Sequence, residues 1–347
     1  MGDEIVRVGI VGAGANTRLK HIPGLQAING VEIVSVCNRS RESGERVASE
    51  FKIPKVYDDW LELVEAEDTN AICIGTWPYM HCPVTLAALE NNKHVLCEAR
   101  MAMDAQEANA MLAMARGNPH LVAQIVPAPM TLKVDATIQE HVAGGYLGDV
   151  LAIDIRVTQD NFIDNQSPIL WRQSRELSGY NLLHMGIWYE MMMRWVGPAS
   201  SVMARTRVYT KRRSDDSGNP QTVTVPDHAD IICEMACGAQ TLMRFSSVTG
   251  LAPTSEVWLY GSDGTLRLEG PPSLTLSGGR RGDSGLTEIP IPAEKQGWWR
   301  VEEEFINAIR GTEKVTHTPF EAGVQYMEFT EAVTRSAQTG QAIPLPL

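Results

Sequence analysis

The most chemically suggestive stretch is Gly12-Ala13-Gly14, set between an apolar run and Asn16-Thr17-Arg18-Leu19-Lys20-His21. The run before it places Ile5, Val6, Val8, Ile10 and Val11 around Arg7 and Gly9. It is too short for a helix and rich in β-branched side chains, which predicts a buried parallel strand. Strand, glycine turn and helix in that order can hold a pyrophosphate. Gly12 permits the tight turn and Gly14 lets the backbone approach the anion. The amides at the helix start, Ala15 and Asn16, then face it. Thr17 stands where a third glycine or alanine is common, so a plain glycine turn stays open as an alternative.

In such folds an acid at the end of the second strand holds the adenosine ribose. Here that strand ends in Cys37-Asn38-Arg39-Ser40-Arg41. Asn38 lacks the charge that would repel a 2′-phosphate, and Arg39, Ser40 and Arg41 can receive one. This favours NADP(H), with NAD(H) possible. A solvated helix start accounts for the same arginines.

Strand-like and helix-like segments alternate through the first part of the chain. Strands are expected at residues 31–37, 71–75, 94–97 and 121–126. Helices are expected at 41–51, from Tyr57 onward, at 83–91 and from the Asp104 cap to 116. The rhythm predicts an α/β chain whose N-terminal domain, residues 1–128, is a Rossmann doubly wound parallel sheet. The remainder, residues 129–347, is expected to be an α+β domain with a large, mainly antiparallel open sheet. Its helices are placed at 132–143, 178–196, 298–310 and 319–338. Its strands are placed at 150–157, 201–209, 229–236, 240–248, 256–260 and 265–269. Gly261-Ser-Asp-Gly264 marks a hairpin turn, and the charged residues 211–220 an exposed mobile loop.

The chain has 347 residues, room for two domains, and a net charge of −12. That balance argues against nucleic acid or an anionic membrane as a partner. Its six cysteines form no C-x-x-C pair and mostly sit in apolar runs. Cys233 and Cys237 share a predicted strand without histidines beside them, so core thiols are expected and no metal site. No basic leader or long apolar segment is present, so a cytoplasmic protein is the default expectation.

Two further stretches make the pattern specific: residues 70–81, NAICIGTWPYMH, and residues 86–98, LAALENNKHVLCE. With Gly12-Ala-Gly14 and His21, Gly145-Tyr-Leu-Gly148, Trp171-Arg172, Tyr260-Gly-Ser-Asp-Gly-Thr-Leu266 and Ser336-Ala-Gln-Thr-Gly340, the chain resembles the Gfo/Idh/MocA family along nearly its full length. The resemblance implies a nicotinamide cofactor on the first domain and a small substrate, usually a sugar, cyclitol or related polyol. It also implies a homodimer or homotetramer formed through the C-terminal sheet. Thr76, Trp77 and His81 then border the cofactor, and Glu98 meets the nicotinamide ribose. A helix-capping role for His81 remains the alternative.

The departures from the family bear directly on the chemistry. Where members carry Glu-Lys-Pro, this chain has Glu98-Ala99-Arg100. Ala99 has no proton to give, and Arg100 stays protonated, so it can orient an oxygen but not act as a base. A solvent-facing helix-start arginine is the plainer account. Where members place Asp and His four residues apart on a helix, this chain has His184 and Trp188. An imidazole there can carry the proton that accompanies hydride transfer. Trp188 can stack on substrate, and Tyr180 lies at the expected helix start. Trp171 and Arg172 can close over substrate. A hydrogen-bonded core histidine is the alternative for His184.

Three functions fit these residues. The first is a dehydrogenase or reductase using His184, Tyr180 and Arg100. The second is a redox-neutral lyase or isomerase that regenerates a held nicotinamide. The third is a sensor of dinucleotide or sugar without turnover.

Overall fold

The structure is a computed structural model, and it describes residues 5–159, 161–252, 255–270 and 274–347. The chain forms two compact units. One is Met1–Pro127 with Arg300–Met327, and the other is Ala128–Trp299 with Glu328–Leu347.

Among the described residues the first unit is built on six strands: β1 (Val6–Val11), β2 (Val31–Cys37), β3 (Lys55–Tyr57), β4 (Ala71–Ile74), β5 (His94–Cys97) and β6 (Ala123–Ile125). They are parallel and run β3-β2-β1-β4-β5-β6. Every residue of β4 is buried, as are Val8, Ile10, Val95 and Leu96, which suits strands covered on both faces. Strand order reverses between β1 and β4, and ligands collect beyond the carboxyl ends of strands at such a point. Three of the helices that follow are capped by side chains. Ser40 accepts the Ser43 amide at 3.3 Å, Asp59 that of Leu61 at 2.9 Å, and Asp104 that of Glu107 at 2.9 Å. The three-residue β3 carries too little pattern to read, so the helix expected from Tyr57 starts at Trp60 instead.

Residues 300–327 depart from the expected 129–347 domain, because buried polar contacts tie them to the first sheet. Gln124 on β6 donates to Glu304 at 3.0 Å and bridges to Pro319, and the Ile125 amide reaches Thr318 O at 3.1 Å. Burial pushes the Glu304 carboxyl up, but His317 and Thr316 donate to it and bring it down to about 2.

Among the described residues the second unit has eleven strands: β7 (Val150–Thr158), β8 (Ala199–Arg207), β9 (Arg212–Ser214), β10 (Pro220–Thr222), β11 (His228–Met235), β12 (Gln240–Ser246), β13 (Glu256–Gly261), β14 (Gly264–Glu269), β15 (Thr275–Arg280), β16 (Thr287–Glu288) and β17 (Ile343–Pro344). Nine of them form one sheet, β16-β15-β14-β13-β7-β12-β11-β8-β17, antiparallel except where β12 meets β7. Alternation sends Ile153, Ile155, Ile231, Met243 and Phe245 into the core and leaves Met203, Ile232 and Leu242 exposed on the other face. Ser262-Asp263 makes the expected two-residue turn between β13 and β14. The segment expected as a mobile loop at 211–220 is instead closed by the β9–β10 hairpin.

The expected helix 178–196 is also interrupted. A short helix, Arg175–Ser178, stops at Gly179 (φ 61°), and Leu183 takes φ 45° before Met185–Val196 begins. Two left-handed residues cannot lie inside a right-handed helix. Met185–Val196 is fixed by Tyr189, whose ring stacks on Phe329 at 3.7 Å and whose hydroxyl accepts the Ala199 amide at 2.8 Å. Its other anchor is a buried cluster in which Glu190 accepts the Ala128 amide at 2.7 Å and Arg194 pairs with Glu190 and Asp135, each at 2.9 Å. Among the described residues no helix is long and apolar enough to cross a membrane.

Candidate functional site

Within the first unit the glycine turn leaves β1 at its carboxyl end. Gly12 has φ 83°, its amide bonds Cys37 O at 2.8 Å, and a Cβ there would lie 2.6–2.9 Å from Thr76. The turn is therefore closed to other side chains on two grounds. Gly14, Ala15 and Asn16 are exposed, and the first closed helical turn is the Arg18 amide on Gly14 O at 3.0 Å. The amides of Ala15 and Asn16 precede that bond, the position from which helix amides reach an anion. Thr17, in the place of the third small residue, is buried. Gly75 compensates: a Cβ at Gly75 would overlap the Thr17 hydroxyl and Gly12 O. The close approach of helix to sheet thus comes from the strand side.

Asn38 is spent inside this cradle. Its Oδ1 accepts the Ala13 amide at 2.7 Å and its amide donates to Ser43 Oγ at 3.0 Å. The three polar neighbours diverge. Ser40 is a helix cap, and Arg41 pairs with Glu45 at 2.9 Å and Asp58 at 2.7 Å. Arg39 is exposed and rests its guanidinium 5.7 Å from the centre of the Trp77 ring.

Beyond β5, Glu98 meets two polar groups of the glycine-turn helix. Asn16 donates to Glu98 Oε1, and His21 Nε2 lies 3.0 Å from the same oxygen. The Ala99 amide donates to Oε2 at 3.1 Å. His21 is fully buried, and its Nδ1 faces Glu302 Oε1 at 2.5 Å. Burial alone would lower the imidazole, but the hydrogen bonds and charge of Glu302 and Glu98 outweigh it and raise it to about 9. For Glu98, burial pushes upward while the bond and charge of His21 prevail, so it stays below the usual carboxylate range.

His81 does not cap the next helix. The helix His81–Glu90 is capped at Met80, and the buried ring brackets two loops, with Nδ1 2.8 Å from Arg100 O and Nε2 3.1 Å from Thr76 O. Burial lowers its pKa, and a neutral ring donates only one of these contacts. Arg100 is not solvent-facing but 4% exposed, and the Ala99–Arg100 peptide is cis.

In the second unit, His184 caps Met185–Val196 rather than lying within it, and its carbonyl accepts the Trp188 amide at 3.1 Å. The ring is half-buried, and the residue before it is the left-handed Leu183. Trp188, one turn on, is 2% exposed, which removes the accessible ring face that stacking on a substrate needs. Trp171 lies under its neighbour Arg172, whose guanidinium is 4.2 Å from the ring centre, and Arg175 sits 5.1 Å from the Tyr180 ring. Sequence reasoning missed Gly75 and Glu302 as parts of the first-unit site. Glu302 follows His21 by 281 residues, and no local spacing links them.

Comparison with known proteins gives a consistent result. The model of the Gfo/Idh/MocA oxidoreductase family, NAD-binding Rossmann fold, matches residues 6–124, and that of the Gfo/Idh/MocA C-terminal domain matches 136–267. The mouse (Mus musculus) trans-1,2-dihydrobenzene-1,2-diol dehydrogenase is 25% identical over 260 residues, 73% of this chain and 74% of that protein. The 1,5-anhydro-D-fructose reductase of Ensifer adhaerens is 37% identical over 110 residues, 32% of this chain and 33% of that protein. A levoglucosan dehydrogenase solved with NADH and L-sorbose superimposes with a TM-score of 0.83 at 20% identity, covering 98% of this chain and 99% of that one. This last likeness is one of fold.

Proposed function

The chain belongs to the Gfo/Idh/MocA oxidoreductase family, and from that premise we propose that it moves a hydride between a nicotinamide dinucleotide and a small sugar, polyol or cyclic diol. The observation that carries this is the first-unit cradle, in which the Gly12–Gly14 turn, exposed helix amides and an ionised Glu98 converge at the strand-order reversal. These residues fit a dinucleotide: a backbone turn for its pyrophosphate and a carboxylate acceptor for a ribose hydroxyl. The substrate class is supported by the diol dehydrogenase and the anhydrofructose reductase among the relatives.

A bound nicotinamide ring supplies the hydride acceptor or donor. His184 then takes the proton of the substrate hydroxyl as the carbon loses hydride, and returns it in the reverse direction. Its place after a left-handed leucine supports that role, since such backbone is kept where a side chain must be aimed. Tyr180, Trp171 and Arg172 supply contacts to the substrate. Ala99 supplies no proton, which puts acid–base work on His184.

NADP(H) is the favoured cofactor. Of the two arginines after β2, Arg41 has its charge met by Glu45 and Asp58, while Arg39 lies exposed over Trp77. The open face of the large sheet is the surface through which copies associate. Met203, Ile232 and Leu242 lie on adjacent strands beside the Arg244–Asp230 and Arg156–Glu256 pairs, a mixed pattern that can complement itself across a twofold axis. Native mass spectrometry with added NADP+ tests both statements. The expected species has an even number of chains and one dinucleotide per chain; chains without dinucleotide would refute the cofactor assignment.

A further inference from the structure

We propose that His21, held as an imidazolium between Glu302 and Glu98, is a positioning residue that aims the Glu98 carboxylate at the dinucleotide and makes dinucleotide affinity depend on one proton. The inference rests on the cofactor assignment above and names a regulatory property of that site.

The geometry fits a cation. Both ring nitrogens of His21 face carboxylate oxygens, Glu302 at 2.5 Å and Glu98 at 3.0 Å, and a carboxylate can only accept. With both nitrogens donating, the buried ring carries a charge between two opposite ones, whereas the His81 ring faces only uncharged carbonyls. The raised His21 pKa agrees with this. Several features of the chain serve the arrangement. His21 is the last residue of a wide π-type turn, Thr17–His21, whose extra residue rotates it away from its place in a regular helix. Gly24 leaves room for Glu302, since a Cβ there would lie 2.9–3.0 Å from its side chain. Glu302 is delivered by the helix Val301–Ile309, from the far end of the chain.

The consequence falls on Glu98. A carboxylate has about four acceptor positions. His21 and Asn16 take two at Oε1, and the Ala99 amide takes one at Oε2. The side chain remains 14% exposed, so an ionised oxygen of fixed orientation is left to accept from a ribose hydroxyl. Loss of the His21 proton leaves Glu98 and Glu302 facing each other without a cation. The other titratable groups nearby do not replace it. Cys73 on β4 is a buried thiol pushed well up by burial and by the same two carboxylates, and His81 is held low and occupied by carbonyls.

The test compares two ligands across pH by titration calorimetry: NADP+ or NAD+, whichever binds more tightly, and its adenosine fragment, 2′,5′-ADP or ADP, which lacks the nicotinamide ribose. Dinucleotide affinity is expected to fall about tenfold as pH rises through about 9, while the fragment's affinity stays level. In Glu302→Gln the fall moves to lower pH, and in Glu98→Gln the pH dependence of the ratio disappears. His21 also contributes to stability, fully present below its ordinary 6.5 and lost as pH rises through about 9. A purely structural His21 would show that loss alone, with the ratio of the two affinities flat. A flat ratio, or an unchanged profile in folded Glu302→Gln, overturns the proposal. Failure of both ligands to bind at any pH overturns the cofactor assignment itself, and this inference with it.

Discussion

The glycine-turn cradle and the His184 segment each sit at the start of a helix, yet they are built by opposite means. The cradle is backbone held by buried partners: Asn38 on the Ala13 amide, Gly75 against Thr17, and Glu302 behind His21. The His184 segment is a run of short turns whose aromatic and guanidinium groups lie half-buried or exposed. Its rigid part lies one to three turns further on, at Tyr189, Glu190 and Arg194. Under the proposed function the difference separates tasks. A cradle for a common cofactor needs fixed amides, whereas a surface that selects a substrate is altered by exchanging side chains on loops.

Changes in the second region should therefore touch turnover and spare dinucleotide binding. His184→Ala carries the largest expected effect, a loss of about two to four orders of magnitude in kcat with the dinucleotide Kd unchanged. Steady-state kinetics beside a binding titration read both, and an equal loss of affinity would erase the division between the two regions. In the first region the effects should be on binding. Arg39→Ala is expected to weaken NADP(H) by about tenfold, the order of one charge-assisted phosphate contact, and to change NAD(H) little. Equal weakening of the two would remove the 2′-phosphate role and leave Arg39 as a partner of Trp77 alone.

How far the sequence could be read follows the same division. The β1 run and the Gly12-x-Gly14 spacing are local signals, and they place the strand and its turn correctly because a parallel strand and a tight turn restrict residue type strongly. The capping aspartate Asp104 and the Ser262-Asp263 turn were legible for the same reason. What escaped was set by distant partners. Thr17 looks like a defect in the fingerprint until Gly75 is seen to make its room. Residues 300–327 carry no local mark of belonging with the first sheet; buried contacts of Gln124 and Ile125 decide it. The continuous helix expected over 178–196 misleads because Gly179 and Leu183 break it just before His184, which becomes a cap, with Trp188 buried one turn on. Gly179 is a residue type that stops helices, whereas a leucine gives no warning of a left-handed backbone.

Hydride transfer is the claim on which the rest depends, and one stoichiometry tests it most directly. Purified protein is given NADP+ and a panel of sugars, polyols and cyclic diols, and reduced dinucleotide is counted against substrate consumed. One reduced dinucleotide per substrate molecule oxidised is the expected result. Substrate converted with no net reduced dinucleotide would contradict it, and would point instead to a nicotinamide regenerated within each cycle.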